Sequence, residues 1–369
     1  MFFLRSIRKF KSAKQKGPQK VINTFWGIRP DTTRREKMPE LRRDPIIGRW
    51  VIISTERRKR PHDYPHIHIE KNNVPCSFCT GNEDKTPPEI LSYRENGTKP
   101  NTPGWWVRVV PNKFPALQIE GKLERRGEGM FDRMSGIGAH EIIIETPDHT
   151  KEMPDLEDKH LEDVIWAYRD RSVDLRKDPR FRYILIFKNK GREAGASLEH
   201  THSQLIATPI IPKRVAEEIE GSKAHYKMKE RCIFCDIIRE EMESCVRVAC
   251  ENDSFITIEP FAPRFPFETW ILPKAHDSEF SRIQKYAVTC LAQILKETLK
   301  RMDKTLNKPP YNFIIHTADC QSPALPYYHW HIEIIPRIVL HAGFEWGSGF
   351  YINPTPPEEA TKYLKEAEI

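Results

Sequence analysis

The chain has 369 residues, 38% hydrophobic and 30% charged, with 30 prolines and a formal net charge of +7. That length suits two ordinary domains or one domain built from two similar halves, and no apolar run approaches the ~20 residues of a membrane span. The charge does not mark a nucleic-acid surface: residues 1–38 hold eleven Lys and Arg against two acids, leaving 48 basic and 50 acidic residues, or −2, in the remainder.

Residues 1–39 read as a basic extension (Arg5, Arg8, Lys9, Lys11, Lys14, Lys16, Lys20) with only Met1-Phe2-Phe3-Leu4 as an apolar start. It lacks the apolar stretch of a secretory signal. Disorder, or a start codon placed too far upstream, is expected ahead of organelle targeting. The expected compartment is therefore the cytoplasm. In that reducing setting paired cysteines read as metal ligands or redox groups before disulfides.

Folded sequence is expected from Glu40. Arg49–Ser54 reads as a strand, and Cys76-x-x-Cys79 follows. Trp105–Val110 and His140–Glu145 are β-rich runs bounded by turn residues. A helix then places Leu161, Val164, Ile165 and Tyr168 on one face. Tyr183–Phe187 reads as a buried strand. His202–Ala207 is another, opening on His200-Thr201-His202.

The same order then recurs. After a join near residues 211–231 come Cys232-x-x-Cys235, strands over Ser254–Ile258 and Thr269–Leu272, and a helix with Ile283, Tyr286, Ala287, Cys290, Leu291, Ile294 and Leu295 on one stripe. Asn312–Ile315 and His329–Ile335 are the last strands of the repeat, and Pro354–Ile369 reads as a closing helix with Ala360 and Leu364 inward. The repeat predicts a duplicated α+β domain: antiparallel sheets with crossing helices, divided as residues 40–213 and 214–369.

Each copy supplies two thiols and two spaced imidazoles, the donor set of a closed tetrahedral zinc site. The sets are Cys76, Cys79, His149 and His200, then Cys232, Cys235, His276 and His329. A redox pair or buried free cysteines are the other readings. Neither calls for histidines at repeated positions.

Each copy also leaves one histidine over, His202 and His331. A core imidazole is the bland reading. Against it, Gln204 shares the strand face of His202, and Asn189-Lys190-Gly191 to Gly195-Ala196-Ser197 is a polar turn of the sort that offers N–H groups to phosphate. Nucleophile, donor amide and phosphate cradle together suggest covalent phosphoryl or nucleotidyl transfer. His331 is followed by Glu333 instead, which would repel phosphate, so the first half is expected to carry the chemistry. The cationic run Arg57-Arg58-Lys59-Arg60 is a further candidate contact for nucleotide.

At these residues the chain resembles the galactose-1-phosphate uridylyltransferase family, a branch of the histidine triad superfamily. The resemblance rests on Asp44-Pro45-Ile46-Ile47-Gly48-Arg49-Trp50, the Cys76–Cys79 knuckle, Pro147-Asp148-His149, Phe187-Lys188-Asn189-Lys190-Gly191, His200-Thr201-His202-Ser203-Gln204, Pro266-Phe267-Glu268-Thr269 and Leu272-Pro273-Lys274-Ala275-His276. It implies two histidine-triad-like α+β halves and a homodimer. It also implies a zinc-containing enzyme of galactose metabolism in which His202 takes UMP from UDP-glucose and passes it to galactose 1-phosphate. Gln204 would donate to a phosphate oxygen, and Arg57, Arg60, Asn112, Asn189, Gly195 and Ser197 would line the nucleotide. The two Cys/His sets would be the metal sites, the second in a zinc form rather than a Glu/His iron form.

Three features depart from the best-known members. His-Thr-His-Ser-Gln replaces His-Pro-His-Gly-Gln and looks closer to the ADP-glucose phosphorylase branch, which transfers AMP to inorganic phosphate. Lys113 stands where an aspartate often follows the asparagine. Gly343–Tyr351 lacks the usual hexose-contacting residues. A dinucleoside polyphosphate hydrolase and a non-catalytic zinc module are the remaining alternatives.

Overall fold

The computed structural model describes residues 39–54, 59–64 and 75–369. The basic extension and Arg57 lie outside the described residues. The elements in chain order are β1 (Glu40–Arg43), β2 (Trp50–Ile53), β3 (Leu91–Arg94), β4 (Trp105–Pro111), β5 (Arg125–Glu128), β6 (Phe131–Met134), β7 (Ala139–Ile144), α1 (Asp158–Leu175), β8 (Tyr183–Lys190) and β9 (His202–Thr208). Then follow α2 (Lys213–Lys229), α3 (Ile233–Ser244), β10 (Val248–Glu251), β11 (Phe255–Ile258), β12 (Thr269–Pro273), α4 (Lys285–Leu306), β13 (Tyr311–His316), β14 (His331–Pro336), α5 (Gly343–Ser348), β15 (Tyr351–Asn353) and α6 (Pro357–Glu366).

Among the described residues, ten strands join in the order β10-β11-β12-β14-β13-β8-β9-β7-β4-β3. Each half contributes five strands to this sheet, and the fifth of them inserts between the third and the fourth. A helix, α1 or α4, bridges the third strand to the fourth in both. The α+β duplication is thus written in the topology. The repeat predicts a sheet in each half; the structure instead joins the two into one, with β13 pairing antiparallel with β8 from Tyr311 opposite Lys190 to Ile315 opposite Ile186. Joining the two open edges satisfies backbone groups that each half alone would expose.

Alternation along the strands separates two faces. Val109, Ile143, Ile186, Leu205, Ile271, Phe313 and Ile334 face one way and pack with α1 and α4 in the main core. Ile142, Ile144 and Val110 face the other way with Phe78, and Ile256, Ile258, Trp270 and Leu272 do so with Phe234. That second face carries both C-x-x-C knuckles.

Two expectations shift. Residues 211–231 are not a plain join but contain α2, whose buried positions Val215, Glu218 and Ser222 include only one apolar residue, so periodicity did not reveal it. Gly221 lets this helix lie against the 46–47 turn, since a Cβ there would sit 1.9 Å from the Ile46 carbonyl oxygen. Tyr286 lies in the first turn of α4 and is 62% exposed rather than inward, and Ile283 precedes the helix.

Candidate active site and metal centres

The first knuckle, residues 76–79, sits in a turn. Its sulfurs meet His149, from the loop after β7, and His200, just before β9. Cys79 Sγ lies 3.4 Å from His149 Nδ1 and 3.6 Å from His200 Nδ1, Cys76 Sγ lies 3.6 Å from His200 Nδ1, and the two Nδ1 atoms are 3.2 Å apart. A tetrahedral ion with bonds of about 2.3 Å to sulfur and about 2.0 Å to nitrogen spaces its ligands by roughly 3.5 Å (S to N) and roughly 3.3 Å (N to N). These four separations match those of a tetrahedral zinc site. His200 Nε2 donates to the Thr146 carbonyl at 2.7 Å, which leaves the Nδ1 lone pair facing the sulfurs. Burial and the neighbouring Cys76 push the Cys79 thiol up to about 11, so two adjacent thiolates call for a cation.

The second knuckle opens α3, with Cys232 at the N-cap. Cys235 Sγ lies 3.4 Å from His276 Nδ1 and 3.7 Å from His329 Nδ1, and His329 Nε2 donates to the Pro273 carbonyl at 2.8 Å. Both Cys/His clusters could hold a metal ion, and both donor sets suit zinc.

His202 follows His200 onto β9 and is 6% exposed. Its Nδ1 donates to the His200 carbonyl at 2.7 Å, so Nε2 is the basic nitrogen. Burial, reinforced by the Lys188 ammonium, lowers its pKa to about 4 and keeps the ring neutral near pH 7. The Phe78 ring meets the imidazole edge-on with centroids 5.3 Å apart. Beneath the strand, Lys188 Nζ donates to Glu145 (2.8 Å), Thr201 Oγ1 (2.6 Å) and the His202 carbonyl (3.3 Å).

His202 and Gln204 open onto a cleft of ≈ 570 Å³, lined also by Phe78, Asn82, Lys85, Asn112, Lys113 and Ser197. Among the described residues Arg60, Asn189 and Gly195 do not line it, nor does the 343–351 stretch. Arg60 is exposed, and Asn189 Oδ1 instead accepts from Asn312 Nδ2 at 2.9 Å across the join of the halves. Gly195 takes φ +89° in a tight turn. Within the turn the N–H groups of Ala194, Gly195 and Ala196 bond back to the Gly191 and Arg192 carbonyls, while Ser197 lines the cleft.

The corresponding site in the second half is closed. Glu218 of α2 accepts from His316 Nδ1 at 3.0 Å, and His316 stacks on His331 with ring centroids 4.7 Å apart. Glu333 pairs with His316 and Arg264. The group Glu218, His316 and His331 also has metal-ligand spacing, yet His316, Arg264 and the carboxylates already balance one another. Sequence reasoning missed Glu218 and His316 because a helix and a strand far apart in the chain bring them together. It also missed His140, whose even position in β7 places it on the cleft face.

Comparison with known proteins agrees with this geometry. Residues 29–212 match the family described as galactose-1-phosphate uridyl transferase, N-terminal domain, and residues 157–367 match a domain of unknown function, DUF4921. The chain is 36% identical to ADP-glucose phosphorylase from Arabidopsis thaliana, over 90% of this chain and 93% of that protein. It is 29% identical to galactose-1-phosphate uridylyltransferase from Thermotoga maritima, over 90% and 99%. The crystal structure of an Arabidopsis thaliana ADP-glucose phosphorylase with bound ADP-glucose superposes with a TM-score of 0.76 at 34% identity, covering 90% of this chain and 99% of that one. With its doubled five-strand topology and its Cys/His clusters, the chain belongs to the galactose-1-phosphate uridylyltransferase family, whose members related to it include both uridylyltransferases and an ADP-glucose phosphorylase.

Proposed function

We propose that residues 40–213 catalyse nucleotidyl transfer from a nucleoside diphosphate sugar through a covalent bond to His202, with residues 214–369 serving as a structural half. The observation that carries this reading is the hydrogen bond from His202 Nδ1 to the His200 carbonyl. It leaves Nε2 as the nucleophile without any deprotonation. Nε2 attacks the α-phosphorus, the bond from phosphorus to the bridging oxygen breaks, and the sugar 1-phosphate departs with the electron pair. The Nδ1 proton stays on the ring, and the His200 carbonyl stabilises the positive charge that the new N–P bond creates. An acceptor phosphate oxygen then attacks phosphorus and returns the electron pair to Nε2. Gln204 donates to a nonbridging oxygen as charge shifts. Zinc at the Cys76, Cys79, His149 and His200 cluster would supply rigidity to the strand that carries His202.

ADP-glucose is the proposed donor and inorganic phosphate the acceptor. The 36% identity to a protein named ADP-glucose phosphorylase supports that choice, and Lys85 and Lys113 on the cleft wall suit a phosphate acceptor of either kind. This reverses the order expected from the family resemblance. UDP-glucose with galactose 1-phosphate is the second reading, supported by the Thermotoga maritima relative. Intact-protein mass after mixing with each sugar nucleotide separates them. An added AMP, released by phosphate, is expected; an added UMP, released only by galactose 1-phosphate, would select the second reading. No adduct with either would end both.

A further inference from the structure

We propose that His140 is a positioning residue that aims the Gln204 amide at the reacting phosphate. The inference rests on the covalent mechanism above and deepens it. A glutamine amide is a two-faced group: its NH₂ attracts a phosphate oxygen and its carbonyl oxygen repels one. The two orientations have nearly the same shape, so a useful donor must be held against flipping.

His140 supplies that hold. β7 and β9 run antiparallel with Ile142 opposite Gln204, so His140 and Gln204 share a face as diagonal neighbours. His140 Nε2 lies 2.9 Å from Gln204 Oε1. The backbone N–H of Ala116 donates to His140 Nδ1 at 3.2 Å. A backbone amide only donates, so Nδ1 is the acceptor and the ring proton sits on Nε2. That N–H then donates to Gln204 Oε1, and the Gln204 NH₂ is left for the cleft. The neighbouring Asn112 is oriented by the backbone and not by His140: its Oδ1 accepts the Phe114 N–H at 2.9 Å. The Gln204 amide thus keeps its donors for a phosphate, and one backbone N–H at Ala116 decides its orientation through His140.

The test is single-turnover formation of the His202 adduct, with whichever sugar nucleotide loads the wild-type protein. His140→Phe keeps the ring and removes both nitrogens. It should slow adduct formation about 10-fold or more, approaching the loss in Gln204→Ala, while the substrate concentration for half-maximal rate changes by less than about 3-fold. His140→Gln restores an acceptor for Ala116 and a donor for Gln204, and should recover much of the rate. In the Gln204→Ala background, adding His140→Phe should cost nothing further. An unchanged rate in His140→Phe overturns the inference. So does a full additional loss in the Gln204→Ala background, which would show the ring acting on structure alone. A wild-type protein that forms no adduct fails earlier and overturns the mechanism itself.

Discussion

His200 and His202 turn the same atom, Nδ1, in opposite service. His200 directs Nδ1 at the sulfurs of Cys76 and Cys79, while His202 directs Nδ1 at the carbonyl oxygen of His200, 2.7 Å away. One residue belongs to the Cys/His cluster so that the other has a fixed tautomer and a rigid partner.

The two positions should therefore separate experimentally. His202→Asn is expected to abolish the nucleotide adduct while leaving two zinc ions per chain and an unchanged circular dichroism spectrum. Cys79→Ser should leave one zinc ion, loosen residues 76–82 and slow adduct formation. Cys235→Ser should also leave one zinc ion but preserve adduct formation by the remaining folded protein. Metal analysis alongside intact mass checks all three. Loss of both ions in His202→Asn would make His202 a ligand and sink the division of roles.

Lys188 and Glu145 form a second support beneath the strand, 1% and 0% exposed. Burial alone would raise the Glu145 carboxyl; the Lys188 charge, with hydrogen bonds from Lys188, Ser203 and Thr201, overcomes it and holds the group below its usual range. Lys188→Met leaves that carboxylate buried without its cation and should destabilise the protein by about 3–5 kcal/mol. Pairing Lys188→Met with Glu145→Leu should recover part of the loss. Urea unfolding measures both variants, and a neutral Lys188→Met would show that the pair does not brace the strand.

His316 makes the closed half sensitive to pH. Burial opposes its charge, but Glu218 and Glu333 outweigh burial and raise its pKa to about 10. An unfolded histidine titrates near ~6.5. The folded state thus binds the proton more tightly, and its stabilisation is fully present below about pH 6.5 and lost as pH rises toward about 10. Stability should fall over that interval by an amount on the order of a few kcal/mol. The fall should be smaller in His316→Gln, even though that variant starts less stable. Urea midpoints at pH 6.5 and pH 9.5 test the difference; equal slopes would refute the ion-pair account.

Several features were open to sequence reasoning because they are local or periodic. The helical stripe Leu161, Val164, Ile165 and Tyr168 is buried in α1 as its spacing required. The two C-x-x-C pairs are local enough to read directly, and the recurrence of histidines at matched positions in the two halves pointed to the distant ligands His149, His200, His276 and His329. Tyr286 failed because a stripe cannot say where a helix starts, and the first turn projects past the core. In the polar turn at residues 191–197, spacing does not reveal that the N–H groups of Ala194, Gly195 and Ala196 are consumed within the turn.

The order of residues by itself determined the duplicated α+β architecture, the two metal donor sets and the asymmetry between Ser203-Gln204 and Ile332-Glu333, all of which depend on spacing and chemistry along one strand or knuckle. Tertiary structure alone decided that the two halves share one sheet, that Glu218 and α2 shut the second site while the first stays open, and that His140 meets Gln204. Those outcomes depend on edge pairing and on contacts between elements distant in the chain, and no local pattern encodes where such elements come to rest.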